Sequence, residues 1–339
     1  MILDIFNNDA FSLASMSTAI DKVKYVPDTI IGSGVFNAEP IRTETFGIES
    51  RKGKINIVGF SQRGEERESR DKTQLRKLVY VATPRLSLTS KIKASELAFL
   101  REFGTEDQIL QVQQEISRRQ FGPNGLVKDI DFSLERMGLG AISGKILDLD
   151  GNVMYDYFSL LGEIESPGIT LALTTLSDGD ARVEITQKIL RPMRRKAQGA
   201  RFQFLRAFCG KTAFDNLNRN PEYRESYIAQ QQGAELREAY FEKPVFFAGV
   251  EWMEYQGDDD DLIKIGDDEV KFVPWGANDI YCRVMSPGES FDQQGTLGQA
   301  LYSNVILDEK RQEFVEVDVS TYSLMVNKRP DMPITATIS

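Results

Sequence analysis

The chain has 339 residues, 41% of them hydrophobic, and its 41 Lys and Arg against 51 Asp and Glu leave a net charge of −10. That is enough apolar matter for a real core, and enough length for two lobes or one elaborated fold. With no histidine at all, a Ser–His–Asp triad and any His-ligated zinc site are excluded, and the negative balance argues against tight sequence-specific DNA reading while leaving room for one basic face.

The N-terminal stretch lacks a basic n-region, and its apolar residues are broken by Asn7, Asn8 and Asp9. Neither a signal peptide nor a membrane span is expected there, and no later run approaches about 18 uninterrupted apolar residues. A soluble protein made in a cytoplasm is therefore expected. Residues 1–51 scatter Ile5, Phe6, Phe11, Leu13, Ile20, Val26, Ile30 and Ile31 without a helical stripe. Such a segment must lie on its own body or on a neighbour. Two β-prone runs follow, around Ile55 and Ile57 and at Leu78–Ala82, and flank a charged middle. The pattern predicts a long hairpin whose tip carries Arg63, Arg67, Arg70 and Lys72 among Glu65, Glu66, Glu68 and Asp71. A solvated tip and a partner-binding tip both fit that mixture of signs.

Residues 94–140 read as helical. Ala94–Phe103 make a short helix, and Thr105 and Gln108 have capping-box spacing before Ile109, Val112 and Ile116. Pro123 then stands at a helix start, and Leu126, Ile130, Leu134 and Met137 form one apolar stripe on a long helix. Lys145–Tyr157 alternates around Asp150-Gly151, the strongest hairpin signal in the chain. A second amphipathic helix spans 180–196 with Ile185, Ile189 and Met193 on one face. Phe202, Phe204 and Leu205 begin a core strand that ends near Cys209, further strands fall at 244–254 and 270–285, and Phe314–Val326 alternates before Arg329-Pro330. Helices and strands in separate blocks make the class α+β.

The catalytic inventory is close to empty. Gly210-Lys211-Thr212 matches only the end of a phosphate-binding loop, and Leu205 stands where that loop needs its first glycine. Asp148, Asp150 and Gly151 have part of a calcium-loop spacing, but Ile146 occupies an earlier position that needs an oxygen ligand. Asp258–Asp261 with Asp267, Asp268 and Glu269 read as a solvated acidic loop. Arg191, Arg194, Arg195 and Lys196 close the second amphipathic helix, where cations complement the helix dipole; a face toward DNA or an acidic neighbour is the sharper alternative. Cys209 and Cys282 cannot form a CxxC motif and are expected reduced and packed. No catalytic residue, metal ligand or cofactor is expected.

The ordered blocks carry a resemblance. Asp129–Arg136, Ala141–Ile146, Asp150-Gly151 and Asp156-Tyr157 come first. Cys209-Gly210, Phe214-Asp215, Asn220-Pro221 and Arg224 follow, then Phe247, Gly249, Val250, Trp252 and Tyr255, then Pro274-Trp275-Gly276. Gly298–Tyr302, Leu324 and Arg329-Pro330 close the series. This set, spanning nearly the whole chain in order, resembles the phage major capsid protein E family, the lambda-type major head proteins. The resemblance implies an HK97-like capsid fold. Residues 1–51 would be an N-terminal arm and 52–90 an extended E-loop over an adjacent subunit. Residues 91–175 and 301–339 would build a peripheral domain with a long spine helix, and 176–300 an axial domain. It implies a homo-oligomeric icosahedral shell of hexamers and pentamers, in a virion, with scaffolding, portal and decoration proteins as partners and non-specific contact with packaged double-stranded DNA. No membrane partner is implied. Arg63, Glu65, Glu66, Arg67, Glu68, Arg70, Asp71 and Lys72 would then meet a neighbouring subunit. An arm and a long hairpin would expose strand edges and apolar surface in a lone subunit, and assembly would cover them. An encapsulin-like nanocompartment shell, and an enzyme binding nucleotide at Lys211, are the alternative readings.

Overall fold

Period-two and helical apolar patterns set the elements of the computed structural model, which describes residues 29–52, 75–93, 96, 108–122, 125–173, 180–197, 202–231, 245–257, 263–277, 280–308 and 313–338. Strands β1 (Asn37–Pro40), β2 (Thr45–Lys52), β3 (Leu75–Ala82) and β4 (Leu86–Lys93) precede helices α1 (Gln108–Phe121) and α2 (Leu126–Ser143). The hairpin strands β5 (Lys145–Leu147) and β6 (Val153–Asp156), helix α3 (Tyr157–Leu161) and strand β7 (Ile169–Leu171) follow. Helix α4 runs as Asp180–Ile185, a π-helical stretch Thr186–Leu190, and Arg191–Ala197. Then come β8 (Phe204–Cys209), α5 (Lys211–Arg219), α6 (Pro221–Gln231), β9 (Val245–Phe247), β10 (Val250–Glu254), β11 (Glu269–Trp275) and β12 (Tyr281–Met285). The chain closes with β13 (Tyr302–Leu307), β14 (Phe314–Thr321), β15 (Ser323–Asn327) and β16 (Ile334–Ile338).

A six-stranded sheet of order β7-β16-β11-β8-β10-β9 is the largest layer. Alternate residues of β8 serve two cores. Leu205, Ala207 and Cys209 face a cluster built with Ile185, Ile189 and Met193 of α4, Phe214 and Leu217 of α5, and Tyr223 of α6. Phe208 faces the opposite cluster, with Ile30, Val35, Ile142, Val273 and Tyr281. Both faces of the sheet are thus covered, which explains why FLRAFC reads as a near-continuous apolar run.

The stripe expected on residues 126–137 is realised on α2. Ile130, Leu134, Met137 and Ala141 pack on Cys282, Val284, Leu324 and Val326 of the three-stranded sheet β1-β12-β15. Gly144 ends the helix at φ +83°, and its N–H donates to the carbonyl of Ala141. Asn327 gives a side-chain N–H to the same carbonyl at 3.0 Å. A second three-stranded sheet, β13-β14-β4, carries α1 through Ile92, Ile116, Val315 and Val317.

Four expected stretches divide where the third dimension intervenes. Within the expected stretch 244–254, Val245–Phe247 and Val250–Glu254 form the hairpin β9–β10, turned at Ala248 and Gly249 with φ of 53° and 77°. Residues 270–285 split into β11 and β12, which lie in different sheets. The terminal alternating run likewise breaks at Tyr322, leaving β14 and β15 in different sheets. In the second amphipathic helix, Pro192 has no N–H and its ring would press on the carbonyl four residues back. The preceding turn widens instead, and Arg191 donates its N–H to Thr186, five residues back. The wide turn keeps Ile185, Ile189, Met193 and Ala197 on one buried face, whereas α geometry alone would rotate residues four apart by about 40° per step.

Strand pairing also runs across the divisions expected from the resemblance. Strand β12 pairs with β15, while β7 and β16 both join the sheet that holds β8 to β11. Residues 53–74, which include Arg63, Glu65, Glu66, Arg67, Glu68, Arg70, Asp71 and Lys72, lie outside the described residues, as do Asp258–Asp261 and, apart from Glu96, the expected helix Ala94–Phe103.

Candidate subunit-contact surface

The first described residues are clamped to the protein's own body. Glu135, on α2 and only 7% exposed, accepts the N–H of Ile30 at 2.8 Å and of Ile31 at 3.1 Å through its two carboxylate oxygens. The hydroxyl of Tyr255 reaches the same carboxylate at 3.3 Å. Three residues on, the carbonyl of Ser33 accepts from Trp275 Nε1 at 3.0 Å and from the Arg206 guanidinium. Arg206 is itself held by Glu251 through an Nε–H bond of 2.6 Å and lies 5.4 Å from the Trp275 ring. A buried carboxylate and a buried, paired guanidinium thus satisfy backbone groups that no strand partner covers among the described residues. Ile30 and Val35 fill the core beneath them. From there β1 continues as the edge of the sheet it forms with β12.

The expected long hairpin emerges from the same body. Strands β2 and β3 pair from Thr45–Ala82 to Lys52–Leu75. On the inner side Phe46, Ile48 and Val81 join the α2 core. On the outer side Leu78 and Tyr80 stand 54% and 68% exposed. Gly47 lies under that face, where an added Cβ would come within 3.4 Å of the Tyr80 ring. The base is tied down by the Thr83 hydroxyl, 2.7 Å from that of Ser286, and by Tyr155, whose hydroxyl donates to the Ala82 carbonyl at 2.7 Å. The hairpin therefore has a fixed root and an apolar face that this chain leaves open to solvent.

A second apolar projection is the β5–β6 hairpin. Gly151 has φ +81° and closes a reverse turn by donating its N–H to Asp148 at 3.1 Å. Leu149 and Asp150 are the middle residues of that turn, so the reversal sits one residue earlier than an Asp150-Gly151 centre, with a register shift at Ile146/Leu147. Arg136 of α2 donates to the Asp148 carbonyl and props the turn. Leu149 is 81% exposed, and Leu147, Val153 and Met154 are about half exposed beside it.

The candidate chemical motifs find structural explanations. Gly210 precedes α5, and a Cβ there would strike the backbone of Gly266 and Asp267. The first-turn N–H of Ala213 donates to the Asp267 carbonyl at 2.8 Å, so a donor that a phosphate would need is already used, beside two exposed carboxylates, Asp267 and Asp268. Cys209 and Cys282 are both buried and unpaired. Burial raises the Cys209 thiol pKa well above its usual range and pushes that of Cys282 up to about 12. Both are therefore protonated packing residues. Among the described residues no group of three or more Cys, Asp and Glu is placed to hold a metal ion, and no helix is long and apolar enough to cross a membrane.

Sequence reasoning missed Glu135 and Arg206. A glutamate beside a helical stripe reads as solvated, and nothing in α2 marked it. Arg206 did leave a signal, because a lone cation inside an apolar strand run needs a buried partner.

Comparison with known proteins identifies what kind of body this is. A family model described as phage major capsid protein E matches residues 12–338. The major capsid protein of Salmonella phage Felix O1 is 20% identical, with 95% of each chain covered. Among solved structures, the mature capsid asymmetric unit of bacteriophage PhiM1 is similar at a TM-score of 0.51 and 12% identity, covering 94% of this chain and 89% of that one. The capsid asymmetric unit of cyanophage A-1(L) is similar at 0.50 and 11% identity, covering 93% and 94%. These likenesses show an HK97-like α+β fold. The chain belongs to the phage major capsid protein E family and is a phage major capsid shell protein.

Proposed function

We propose that this chain builds an icosahedral shell of hexamers and pentamers around double-stranded phage DNA, and that it carries no catalytic activity. The observation that carries the reading is the split character of the β2–β3 hairpin. Its inner face is core, while its outer face presents Leu78 and Tyr80 to solvent. A face of that kind is covered by a second copy in a shell, where many modest contacts per subunit add by avidity. Residues 1–51 act as the arm and 52–90 as the loop laid over the adjacent subunit. Residues 91–175 and 301–339 make the peripheral lobe and 176–300 the axial lobe, with β7, β12 and β16 crossing between them. Arg63, Glu65, Glu66, Arg67, Glu68, Arg70, Asp71 and Lys72 set register against the neighbour through complementary charge. Scaffolding, portal and decoration proteins complete the particle, which assembles in the host cytoplasm.

The match to a phage capsid family favours this reading over a protein-filled nanocompartment. Negative-stain microscopy of the expressed chain tests it. Shells, tubes or capsomers are expected, and deletion of residues 62–74 should abolish closed shells without unfolding the chain. Normal heads from the deletion variant would remove the loop assignment, and peptide-tagged protein cargo in place of DNA would favour the nanocompartment.

A further inference from the structure

The exposed face of α4 is unlike the rest of this acidic chain. Residues 185–214 contain no Asp or Glu, although 51 are spread over the 339 residues, a density that would place four or five in such a stretch. Several cations elsewhere on the folded body sit beside carboxylates. Arg118 and Arg119 share Glu115, Arg206 holds Glu251, Lys328 holds Glu39, and Arg329 holds Asp331. On α4 itself Arg182 faces Glu222, and Lys188 bonds Glu184 at 2.6 Å. Lys196 turns inward to the Asp331 carbonyl and Ser166. Arg191, Arg194 and Arg195 are exposed, and their guanidinium groups have neither an ion-pair nor a hydrogen-bond partner among the described residues.

The dipole of the helix explains only part of this. Its influence falls off within the last turn, which holds Arg194 and Arg195 but not Arg191. Ordinary α-helical geometry supplies the remaining placement. At about 100° per residue, Arg191 and Arg195 each lie about 160° around the helix from the buried Met193, on the opposite face, with Arg194 on their flank. Three guanidiniums with no carboxylate paired to them among the described residues form a surface suited to a run of phosphates, for which Arg is the preferred donor.

We infer that the Arg191, Arg194 and Arg195 face of α4 binds the phosphate backbone of double-stranded DNA, independently of sequence, on the inner side of the shell. The inference rests on the reading that the shell encloses DNA. Charge complementarity selects the partner, since the face is uniformly cationic in a chain of net charge −10, and a second copy would have to bring a carboxylate patch to it.

The test uses the full-length unassembled chain and a labelled random-sequence duplex, with binding followed by fluorescence anisotropy between 50 and 200 mM salt. Replacing all three arginines by glutamine should weaken binding and lower the log–log salt slope by up to about 2.7, three phosphate contacts at about 0.9 each. A triple lysine variant should keep most of the slope, because the phosphate term needs charge. An unchanged slope in the glutamine variant overturns the inference, as does equal loss in the lysine variant, which would mark damage to the fold. A glutamine variant that binds DNA normally but no longer assembles would also overturn it, by showing that the face meets another subunit. Microscopy of the wild-type chain reads the shell assignment separately, and failure to form particles there leaves the slope comparison intact.

Discussion

Glu135→Ala is the most informative single change to the folded body. It removes the acceptor of the Ile30 and Ile31 amides and of the Tyr255 hydroxyl. Ile30 is fully buried, so water does not replace the carboxylate at its N–H. Hydrogen bonds to a charged group contribute about 1.5–3 kcal/mol each, and a buried donor left unmet costs a similar amount. The two backbone bonds dominate, since the Tyr255 contact is long at 3.3 Å. The expected loss is about 3–5 kcal/mol, a large share of the roughly 5–15 kcal/mol that holds a typical domain. Glu135→Gln keeps one carbonyl acceptor and should lose about half as much. Urea unfolding of the unassembled chain gives the total, and hydrogen exchange at residues 30 and 31 localises it. If Glu135→Ala loses under about 1 kcal/mol and both amides stay protected, the clamp does not hold residues 30 and 31.

Two glycines with positive φ should respond differently to alanine. At Gly144 the backbone term of about 1 kcal/mol adds to a Cβ placed 2.2 Å from the Phe158 ring, so thermal unfolding should show a loss of roughly 2–4 kcal/mol once overpacking is included. At Gly151 nothing lies within 4 Å, and only the backbone term of about 1 kcal/mol remains; equal losses at the two sites would contradict the packing argument. Asp156 caps α3 by accepting from the amides of Phe158 and Ser159, and Asp156→Ala should cost about 1 kcal/mol. Burial pushes its carboxyl pKa up, but hydrogen bonds from Ser159 and the backbone and the charge of Lys145 outweigh that and leave it below the usual range. A carboxyl lowered on folding stabilises the protein above its unfolded pKa and loses that contribution as pH falls through the folded value. An NMR titration of Asp156 that ends at or above the ordinary aspartate midpoint would contradict the cap.

Composition and periodicity alone determined much of this protein. The absence of histidine removed the commonest catalytic and metal chemistries. The stripe Leu126, Ile130, Leu134 and Met137 announced α2, because a helical period admits one buried face, and the ordered motifs announced the family. Local pattern could not report which sheet a strand would join. Residues 314–326 alternate as one run, yet the chain leaves one sheet for another at Tyr322, and alternation is blind to pairing partners. It could not report the use of Glu135 either, since a carboxylate beside an apolar stripe looks solvated until residues more than a hundred positions away bring two orphan amides to it. Nor could the four-residue row Ile185, Ile189 and Met193 be aligned until Pro192 was seen to widen the turn before it. Only the tertiary structure decides such things, because burial, pairing and the satisfaction of backbone groups are properties of contacts distant in sequence.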